Sequence, residues 1–432
     1  MQYIPNIIFL TALIIGFGYF IKNSKKIIRN IQLGHKVDAS DHKKERWNNV
    51  IRIALGQSKM VARPVSGLLH IIVYAGFIII NIEVLEIIID GLFGTHRIFS
   101  YVGSLYGFLI GSFEILAVLV LISVCVFWIR RMVIRIPRFW NKEMTKWPKN
   151  DALYILYFEM VLMSLFLIMN ATDFHFQEMN SGNIISQFLA PLFSGFEVGT
   201  LHIIERSAWW LHIFGILVFL NYLYFSKHLH ILLAFPNVYY GSVTPKGQFK
   251  NLESVTKEVK LMMDPSADPF AAPPEGAEEP AKFGASDVMD LNRTQLLNAY
   301  TCTECGRCTS ECPANQTGKK LSPRKIMMAT RDRLEEVGRN IDKNGEFKPD
   351  EKQLLGDYIS NEELWACTTC NACTEACPVS IDPLSIIMDM RQYLVMEQSA
   401  APNELNISLT NIENNGAPWP YNQMDRLNWK DD

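Results

Sequence analysis

Eight cysteines stand in two cassettes whose spacing suits an iron–sulfur protein. Residues 302–313 read CTECGRCTSECP, with the pattern C-x₂-C-x₂-C-x₃-C-P, and residues 367–378 repeat it as CTTCNACTEACP. Thiolates separated by two residues converge on one polymetallic cluster, whereas a structural zinc ion usually takes cysteine pairs that are well separated in the sequence. The pattern therefore predicts two [4Fe–4S] clusters rather than zinc, and two adjacent clusters form a one-electron relay.

The fourth cysteine of each cassette precedes a proline. In two-cluster proteins of this spacing, that cysteine ligates the other cluster of the pair. The ligand sets predicted by this rule tie the two halves of the module together. They are Cys302, Cys305, Cys308 and Cys377 for one cluster, and Cys367, Cys370, Cys373 and Cys312 for the other.

Five windows in the first 230 residues are nearly free of charge and long enough to cross a membrane. Each supplies roughly 18–25 helical residues, and a hydrocarbon core about 30 Å thick requires about 20. Five windows close together, with none afterwards, favour membrane crossings over the alternative of buried helices in a large soluble protein. The windows are Ile4–Ile21, Val65–Ile89, Tyr101–Ile129, Ala152–Ala171 and Ser207–Ser226.

The basic residues between these windows predict an orientation. The loops 22–64 and 130–150 hold eleven and seven Lys/Arg, whereas 90–100 and 172–206 hold one each. The positive-inside rule then places the N-terminus outside and everything after Tyr239 in the cytoplasm, for a multi-pass protein of the cell (inner) membrane. The first window lacks a basic n-region and a cleavage site, so it is not a secretory signal. Thiols stay reduced in the cytoplasm, so disulfides are not expected, and Cys125 in the third window is expected to be a packing residue.

The remainder divides into a linker and a duplicated module. Residues 241–285 are rich in Pro, Ala and Glu, which predicts a flexible linker between a membrane domain (1–240) and a two-cluster domain (286–397), with a docking tail at 398–432. After the two cassettes, SPRKIMMATR (322–331) and DPLSIIMDMR (382–391) each carry a proline at the second position, in the first turn of a predicted helix, and continue with a helical apolar pattern. The module is therefore expected to be all-helical and built from two related halves.

Both halves of the chain resemble known families. The segment ELWACTTCNACTEACPVSIDP (363–383) resembles the helical ferredoxin module of heterodisulfide reductases and of glycolate and lactate oxidase iron–sulfur subunits. The first 235 residues resemble the gamma subunit of respiratory nitrate reductase, a five-helix dihaem b membrane protein. Together they resemble membrane-bound heterodisulfide-reductase-like electron-transfer proteins. This resemblance implies an all-α fold, with a five-helix transmembrane bundle followed by a cytoplasmic α-helical ferredoxin domain.

Three histidines, His70, His212 and His230, fall in or beside the apolar windows, where an ionisable side chain is costly and usually faces the bundle interior. His212 and His230 are 18 residues apart, which in one helix places them on the same face about 27 Å apart. This spacing matches the nitrate reductase gamma pattern, in which the fifth helix supplies one ligand to each of two haems. The resemblance implies that His70 and His230 bind a haem b on the cytoplasmic side; ordinary packed histidines are the alternative.

A second haem is left open by the sequence. The family places another histidine ten residues after the first on the second helix, and here that position is Ile80, with Asn81 next to it. His212 is therefore expected either to bind a second haem with an unidentified partner or to help hold quinone. Glu83, Glu86, Glu114 and Glu159 are expected either to carry protons or to be paired locally. The other histidines are expected to be solvated or to lie at a helix end: His35, His42, His96, His175, His202 and His228. A quinone contact is the alternative for His96, His175 and His202.

The end of the sequence suggests a partner protein. The segment NNGAPWPYNQMDRLNWKDD (414–432) resembles the stretch that precedes a cysteine-rich domain with CCG motifs in fused relatives, and the sequence contains no CCG. The resemblance implies a CCG-domain iron–sulfur subunit in trans, or alternatively a disordered extension. The chain has no Gly-rich dinucleotide fingerprint, so NAD or FAD is not expected as a cofactor. A nucleic acid is not expected as a partner.

The function expected from these features is electron transfer between a cytoplasmic redox partner and menaquinone, through two [4Fe–4S] clusters and haem b. The redox partner would be the CCG-domain subunit or an electron-transfer flavoprotein, and quinone reduction is the favoured direction. Alternatives are a menaquinol-oxidising subunit of a heterodisulfide or sulfur-compound reductase, a cluster protein on a haemless anchor, and a membrane-anchored redox sensor. The residues of a catalytic centre are not identifiable from the sequence.

Overall fold

The computed structural model describes residues 3–249, 251–266 and 282–431. The protein is 71% helical, and the described residues contain no β-strand. The fold class expected from the sequence is therefore confirmed. Much of the Pro/Ala/Glu-rich linker, residues 267–281, lies outside the described residues.

Five long apolar helices fill the first half of the chain. They are α1 (Ile4–Gln32), α2 (Pro64–Phe93), α3 (Ser104–Met132), α4 (Trp147–Thr172) and α5 (Val198–Tyr222). With the 3₁₀ turn that continues α5 to Phe225, all five are long and apolar enough to cross a membrane.

The ends of these helices follow ordinary stop and start signals. A proline lies in the first turn of α1, α2 and α4, where its missing N–H costs no hydrogen bond. α2 ends at Gly94, whose φ of 72° is the left-handed conformation that terminates helices. Several helices extend beyond the apolar windows, and α1 continues eleven residues past Ile21 because Lys, Arg, Asn and Gln continue a helix outside an apolar layer.

The five helices form a closed ring. Each packs against its neighbours in the chain, and α1 also packs against α5. The interior is apolar, with Phe9, Phe113 and Phe166 among its buried side chains. The outer surface is apolar as well: Ile14, Phe108 and many other large hydrophobic side chains are exposed. An apolar exterior of this length indicates a membrane protein.

The fifth crossing is not one continuous helix to His230. α5 ends at Tyr222, a 3₁₀ turn covers Leu223–Phe225, and Ser226 is extended, with φ −109° and ψ 149°. The Ser226 hydroxyl accepts a hydrogen bond from the His228 amide and thereby starts a new turn, after which α6 (His230–Tyr240) begins. The expectation that His212 and His230 share one straight helix is therefore wrong.

The cassettes belong to a compact helical domain. Its longer helices are α7 (Arg293–Thr301), α8 (Pro323–Asn344) and α9 (Pro383–Met396). α8 and α9 begin at the two equivalent prolines, and the side chains of Ser322 and Asp382 cap their N-termini. The shorter elements of this domain are Val288–Asp290, Arg307–Ser310, Pro313–Gln316, Leu354–Tyr358, Asn361–Trp365 and Ala372–Ala376.

This domain packs directly on one end of the helix ring. Ile27 of α1, Ile155 of α4 and Phe219 of α5 belong to the same buried cluster as Leu296, Ile326 and Ile386 of the cassette domain. Buried Asn30 donates a hydrogen bond to the Tyr300 hydroxyl (2.8 Å), and Lys26 and Arg29 pair with Asp342. The two halves therefore share one core at this end of the ring, which we call the proximal end; the opposite end is the distal end.

The remaining described elements lie at the two ends of the ring or in the connecting and C-terminal segments. In the linker region the helix Glu253–Met263 is formed, and the C-terminal tail contains the exposed helices Asn403–Asn415 and Gln423–Lys430. The short elements between the crossings are Lys43–Asn49, Val50–Leu55, Ile98–Val102, Pro137–Phe139, Lys142–Met144, Phe174–Glu178, Ser186–Leu189, Ala190–Phe193 and Lys227–Leu229.

Candidate metal centres

The two cassettes fold alike as well as read alike. Glu304 and Thr369, at equivalent positions, have φ values of 53° and 56°, and Gly306 and Asn371, also equivalent, have 72° and 60°. Gly and Asn are the residues that adopt this left-handed conformation at least cost. Each turn leads into a short helix that begins just before the third cysteine of its cassette. The backbone therefore curls around the thiols in the same way in both halves.

The first cassette meets the last cysteine of the second. Cys302 and Cys377 are buried, and Cys305 and Cys308 are half-buried. Burial raises the pKa of the Cys308 thiol well above its usual value, and the neighbouring thiols of Cys302, Cys305 and Cys377 raise it further. Burial likewise raises the pKa of Cys302 to about 12 and that of Cys377 to about 11. These four thiols form the first quartet.

The second quartet is assembled in the mirrored way. Burial raises the pKa of the Cys367 thiol, and the thiols of Cys312 and Cys370 act on it in the same direction. Cys373 is buried, with its pKa raised to about 12, and Cys370 is exposed at the surface. Because Cys373 also acts on Cys308, the two quartets are adjacent. The thiols that act on Cys308 and Cys367 include the partner that the crossed grouping requires, Cys377 and Cys312 respectively, and the ligand sets themselves stay a prediction.

The chemistry of these donor sets suits iron–sulfur clusters. Four thiols gathered in a buried site ionise only when a metal balances their charge. Backbone amides donate to two of the sulfurs, from Thr369 to Cys367 (3.4 Å) and from Ile381 to Cys377 (3.2 Å). Such N–H···S bonds are a standard means of tuning cluster potential. The residues therefore fit two [4Fe–4S] clusters.

His70 and His230 face each other near the proximal end. Their ring centres lie 6.5 Å apart. Two imidazole nitrogens that each bind one metal ion at about 2 Å place their ring centres about 6 Å apart, so the observed separation fits a shared iron. His230 Nδ1 bonds the Lys227 carbonyl (3.1 Å), which leaves Nε2 for a ligand, and His70 Nδ1 has no partner. The sequence-predicted pair is therefore brought together.

His228 joins this pair, although its position after the fifth crossing suggested only a polar helix end. Its ring lies 5.4 Å from that of His230 and 6.3 Å from that of Phe219, and its Nδ1 is buried without a partner. Burial lowers the pKa of both His228 and His230, with the other histidines adding to the effect on His228. Both rings are therefore neutral at pH 7, the form that binds iron.

His212 lies in a different environment. It is 1% exposed, its Nδ1 bonds the Leu162 carbonyl (3.0 Å), and its ring packs against Phe166 at 6.2 Å. It lines a mostly apolar cavity between α2, α3, α4 and α5, together with Ile80, Asn81 and Glu159. The described lining contains no second histidine, so the structure brings no imidazole partner to His212.

Lys227 connects the first quartet with the histidines. Its side chain is 8% exposed and forms an ion pair with buried Glu304, which lies between Cys302 and Cys305. Its backbone carbonyl is the acceptor for His230 Nδ1. Burial alone would raise the pKa of Glu304, but the charges of Arg331 and Lys227 lower it to about 2. A single residue thus holds both the cassette loop and a histidine of the facing pair.

The basic loops at the proximal end hold the cassettes from the other side. Lys59 Nζ reaches the Cys377 carbonyl (3.4 Å), and Arg307 donates to the Lys59 carbonyl (3.0 Å). Arg63 pairs with Glu311 (2.9 Å), and buried Arg324 pairs with Glu143 (2.7 Å). Part of the Lys/Arg excess in these loops therefore serves the contact between the two domains.

Comparison with known proteins agrees with this site. Residues 301–381 match the family described as a 4Fe-4S dicluster domain. Over 99% of its length the chain is 28% identical to a probable iron-sulfur-binding oxidoreductase, FadF, of Bacillus subtilis (strain 168), of which it covers 61%. Over 88% of its length it is 25% identical to the EtfAB:quinone oxidoreductase of Syntrophomonas wolfei, of which it covers 53%.

A narrower similarity involves the cassette domain. Over 29% of the chain, the sequence is 30% identical to a subunit of the ferredoxin/F(420)H(2)-dependent CoB-CoM heterodisulfide reductase of Methanosarcina acetivorans, and 63% of that subunit is covered. The chain thus spans less than two thirds of the length of each of these relatives. No solved structure matches the chain. The prediction of an iron–sulfur protein similar to electron-transferring oxidoreductases is confirmed.

Proposed function

We propose that this protein transfers electrons between a soluble redox partner and a quinone in the membrane. The observation that carries the proposal is the stacking of the first thiol quartet on the proximal end of the ring, where Lys227 links it to the facing rings of His70 and His230. When bound, two [4Fe–4S] clusters and a haem b supply one-electron redox centres. We assign the two cysteine quartets to the clusters and His70 with His230 to the haem.

The exposure of the two quartets indicates where the soluble partner docks. Cys370 is exposed, whereas the first quartet is covered by the ring and its loops. The second quartet is therefore the side that a partner can approach. Two relatives carry names that suit such a partner, an EtfAB:quinone oxidoreductase and a heterodisulfide reductase subunit. We propose an electron-transfer flavoprotein or a CCG-domain iron–sulfur subunit in this role.

The cavity beside His212 is our candidate for the quinone ring. It is apolar with a few convergent polar groups, which is the usual composition of a small-molecule site. His212 Nε2 and the Asn81 amide are suited to hydrogen-bond the quinone oxygens. Reduction of a quinone takes two electrons and two protons, and Glu159 is the acid group that lines the cavity. The cavity is separated from the histidine pair along the bundle. Asn81 lies eleven residues after His70 on α2, which is about 16 Å along the helix axis.

The same site would serve the opposite direction. A menaquinol-oxidising subunit of a heterodisulfide-type reductase uses the same kinds of groups, and similarity to a heterodisulfide reductase subunit favours keeping that function as the second candidate. We favour quinone reduction because the similarity to the EtfAB:quinone oxidoreductase covers 88% of the chain, against 29% for the reductase subunit.

The haem assignment is tested by the optical spectrum of the purified protein. We expect wild type to show a b-type α-band after reduction, and His70→Ala and His230→Ala to lose it, because either change removes one of two facing imidazoles. His35→Ala, an exposed histidine outside the crossings, is the matched control and should keep the band. Non-haem iron should stay unchanged in all three variants. A band that persists in both His70→Ala and His230→Ala would refute the assignment.

A second experiment separates the two roles considered for His212. If His212 holds quinone, His212→Ala should leave the haem content unchanged and raise the KM for a menaquinone analogue about tenfold, as expected for the loss of one buried hydrogen bond. If it binds a second haem, the haem-to-protein ratio should fall instead. Phe214→Ala, a change at an exposed aromatic residue of the same helix, controls for general damage to α5.

A further inference from the structure

A polar cavity lies at the distal end of the ring, among the last three turns of α2, the loop after it, the end of α4 and the first half of α5. It is separate from the thiol quartets and from the cavity beside His212. Glu83, Glu86, Asp90, Asp173 and Glu205 supply its carboxylates, and His96 stands at its mouth. The side chain of His96 is 44% exposed, whereas those of Asp173 and Glu205 are 4% and 5% exposed. The cavity therefore combines a reachable imidazole with buried acids.

Three of these side chains converge on a single point. One ligand atom each of His96, Asp173 and Glu205 lies within 4.8 Å of the others. The closest pair is His96 Nε2 and Asp173 Oδ2, at 3.2 Å. The three residues come from different elements: the loop after α2, the cap that follows α4, and α5. Ligands from separate elements, held by the packing of the ring, make a preformed site.

The charges around the cavity leave room for a cation. The five carboxylates face two cations, Arg97 and Arg206. Arg97 binds Asp173 (2.7 Å) and Asn170 (2.9 Å), and Arg206 pairs with Glu205. The carboxylates that line this cavity therefore outnumber its cations by three.

Glu83 gives a second, independent indication of a missing ligand. It is 3% exposed, it lines the same cavity, and its Oε2 has no hydrogen-bond partner. The neighbouring acids are satisfied: Glu86 accepts from the Phe99 amide (2.8 Å) and Asp90 from the Arg97 amide (2.6 Å). A buried carboxylate oxygen without a partner is costly unless an ion, a proton or a water satisfies it.

We propose that His96, Asp173 and Glu205 bind a divalent transition-metal cation of the zinc class at the distal end of the ring. One imidazole nitrogen with two carboxylate oxygens is a donor set that Zn²⁺ accepts, with a water as fourth ligand. Mg²⁺ and Ca²⁺ prefer oxygen ligands alone, and soft Cu(I) prefers sulfur. The bound ion ties three elements together, so it stabilises the folded protein, and increasingly so as the free ion concentration rises above the dissociation constant.

The test uses purified protein with its clusters intact, washed with chelator and titrated with Zn²⁺ by calorimetry. We expect one Zn²⁺ per chain in wild type and a rise of several degrees in the unfolding midpoint. Mg²⁺ at the same concentration should give neither. His96→Ala should weaken Zn²⁺ binding at least tenfold and remove the midpoint shift. His96 is exposed, so this variant should match wild type in chelator.

His175→Ala is the matched control. Its ring is 6.4 Å from that of His96, but it does not belong to the converging group. This variant should bind Zn²⁺ as wild type does. Glu205→Gln provides a second variant, which should weaken binding while its absorbance shows intact clusters. The proposal is overturned if wild type with intact clusters binds no Zn²⁺. It is also overturned if His96→Ala binds Zn²⁺ as tightly as wild type does, or if His175→Ala loses as much Zn²⁺ affinity as His96→Ala.

Discussion

We assign Cys312 and Cys377 each to the cluster held by the cassette of the other half rather than by their own. In each half the fourth cysteine precedes a proline and has an extended backbone, with ψ of 117° at Cys312 and 123° at Cys377. The residues of one quartet are consequently up to 75 positions apart in the sequence, from Cys302 to Cys377. Substitution of a fourth cysteine should therefore disrupt the cluster whose other three ligands lie in the opposite half.

Substitution of single cysteines tests this crossed arrangement. Cys377→Ser should lower the non-haem iron from about eight to about four atoms per chain, because one of two four-iron centres loses a ligand. The remaining electron paramagnetic resonance signal should match that of Cys302→Ser and differ from that of Cys367→Ser. Cys125→Ser, outside both quartets, is the control and should retain all the iron. A Cys377→Ser spectrum identical to that of Cys367→Ser would contradict the crossed grouping.

The residues of the site differ in how well the sequence alone predicts their roles. Cysteine spacing indicates metal chemistry directly, so the eight thiols are predicted as ligands from their pattern alone. His228 was not, because its burial depends on the break at Ser226 and on the contact with Phe219, which a run of apolar residues does not encode. For the same reason, sequence reasoning treated His96 as solvated, although packing places it against Asp173.

Among the elements, the 3₁₀ turn Lys227–Leu229 has the greatest influence on the site. The break at Ser226 directs the Lys227 side chain toward the first cassette and the Lys227 carbonyl toward His230. A straight helix through this region would place these groups elsewhere. Helical periodicity predicted the straight helix, and the local hydrogen bond from the His228 amide to Ser226 overrides it.

Removal of the Lys227 charge should destabilise the contact between the two domains. Lys227→Met leaves buried Glu304 with Arg331 as its remaining cation, and loss of one partner of a buried ion pair costs about 3 kcal/mol. We expect a lower midpoint for denaturant unfolding, followed by cluster absorbance. Lys319→Met, an exposed lysine of the same domain, should not change the midpoint.

The double variant Lys227→Met/Glu304→Gln shows whether the pair itself is responsible. It removes the Glu304 charge that the single variant leaves with one cation fewer, so it should recover part of the stability lost in the single variant. Asp151, 3.7 Å from Lys227 Nζ, loses its cation equally in both variants. Equal midpoints for the single and double variants would show that Lys227 does not act through Glu304.

For the whole molecule, the membrane crossings were the easiest feature to predict. Apolar windows located all five helices, and their ends differ from the windows by a few residues, except where α1 extends to Gln32 and α5 begins at Val198. The union of the two halves was not predictable, because it joins residues far apart in the sequence, such as Asn30 with Tyr300. No local pattern reports such pairs.

Site-directed labelling tests the predicted orientation in intact cells. In a Cys125→Ser background, Tyr101→Cys marks the distal end and Lys319→Cys marks the cassette domain; both positions are exposed. A membrane-impermeant maleimide should label Tyr101→Cys, because the positive-inside rule predicts that the Lys/Arg-rich loops lie in the cytoplasm at the proximal end. Lys319→Cys should react only after the membrane is permeabilised. The reverse result would invert the topology.

The shared core between the ring and the cassette domain has a consequence for the proposed encounter with a soluble partner. Ile27, Ile155 and Phe219 pack with the residues that surround the thiols, so the cassette domain is fixed to the ring and does not swing on a tether. A carrier domain that shuttles would have a rate set by its own diffusion and by solvent viscosity. Here the spacing between the thiols and the histidine pair is fixed by packing. The rate of turnover should therefore be limited by the encounter with the soluble partner. Added glycerol should lower that rate only by slowing the encounter.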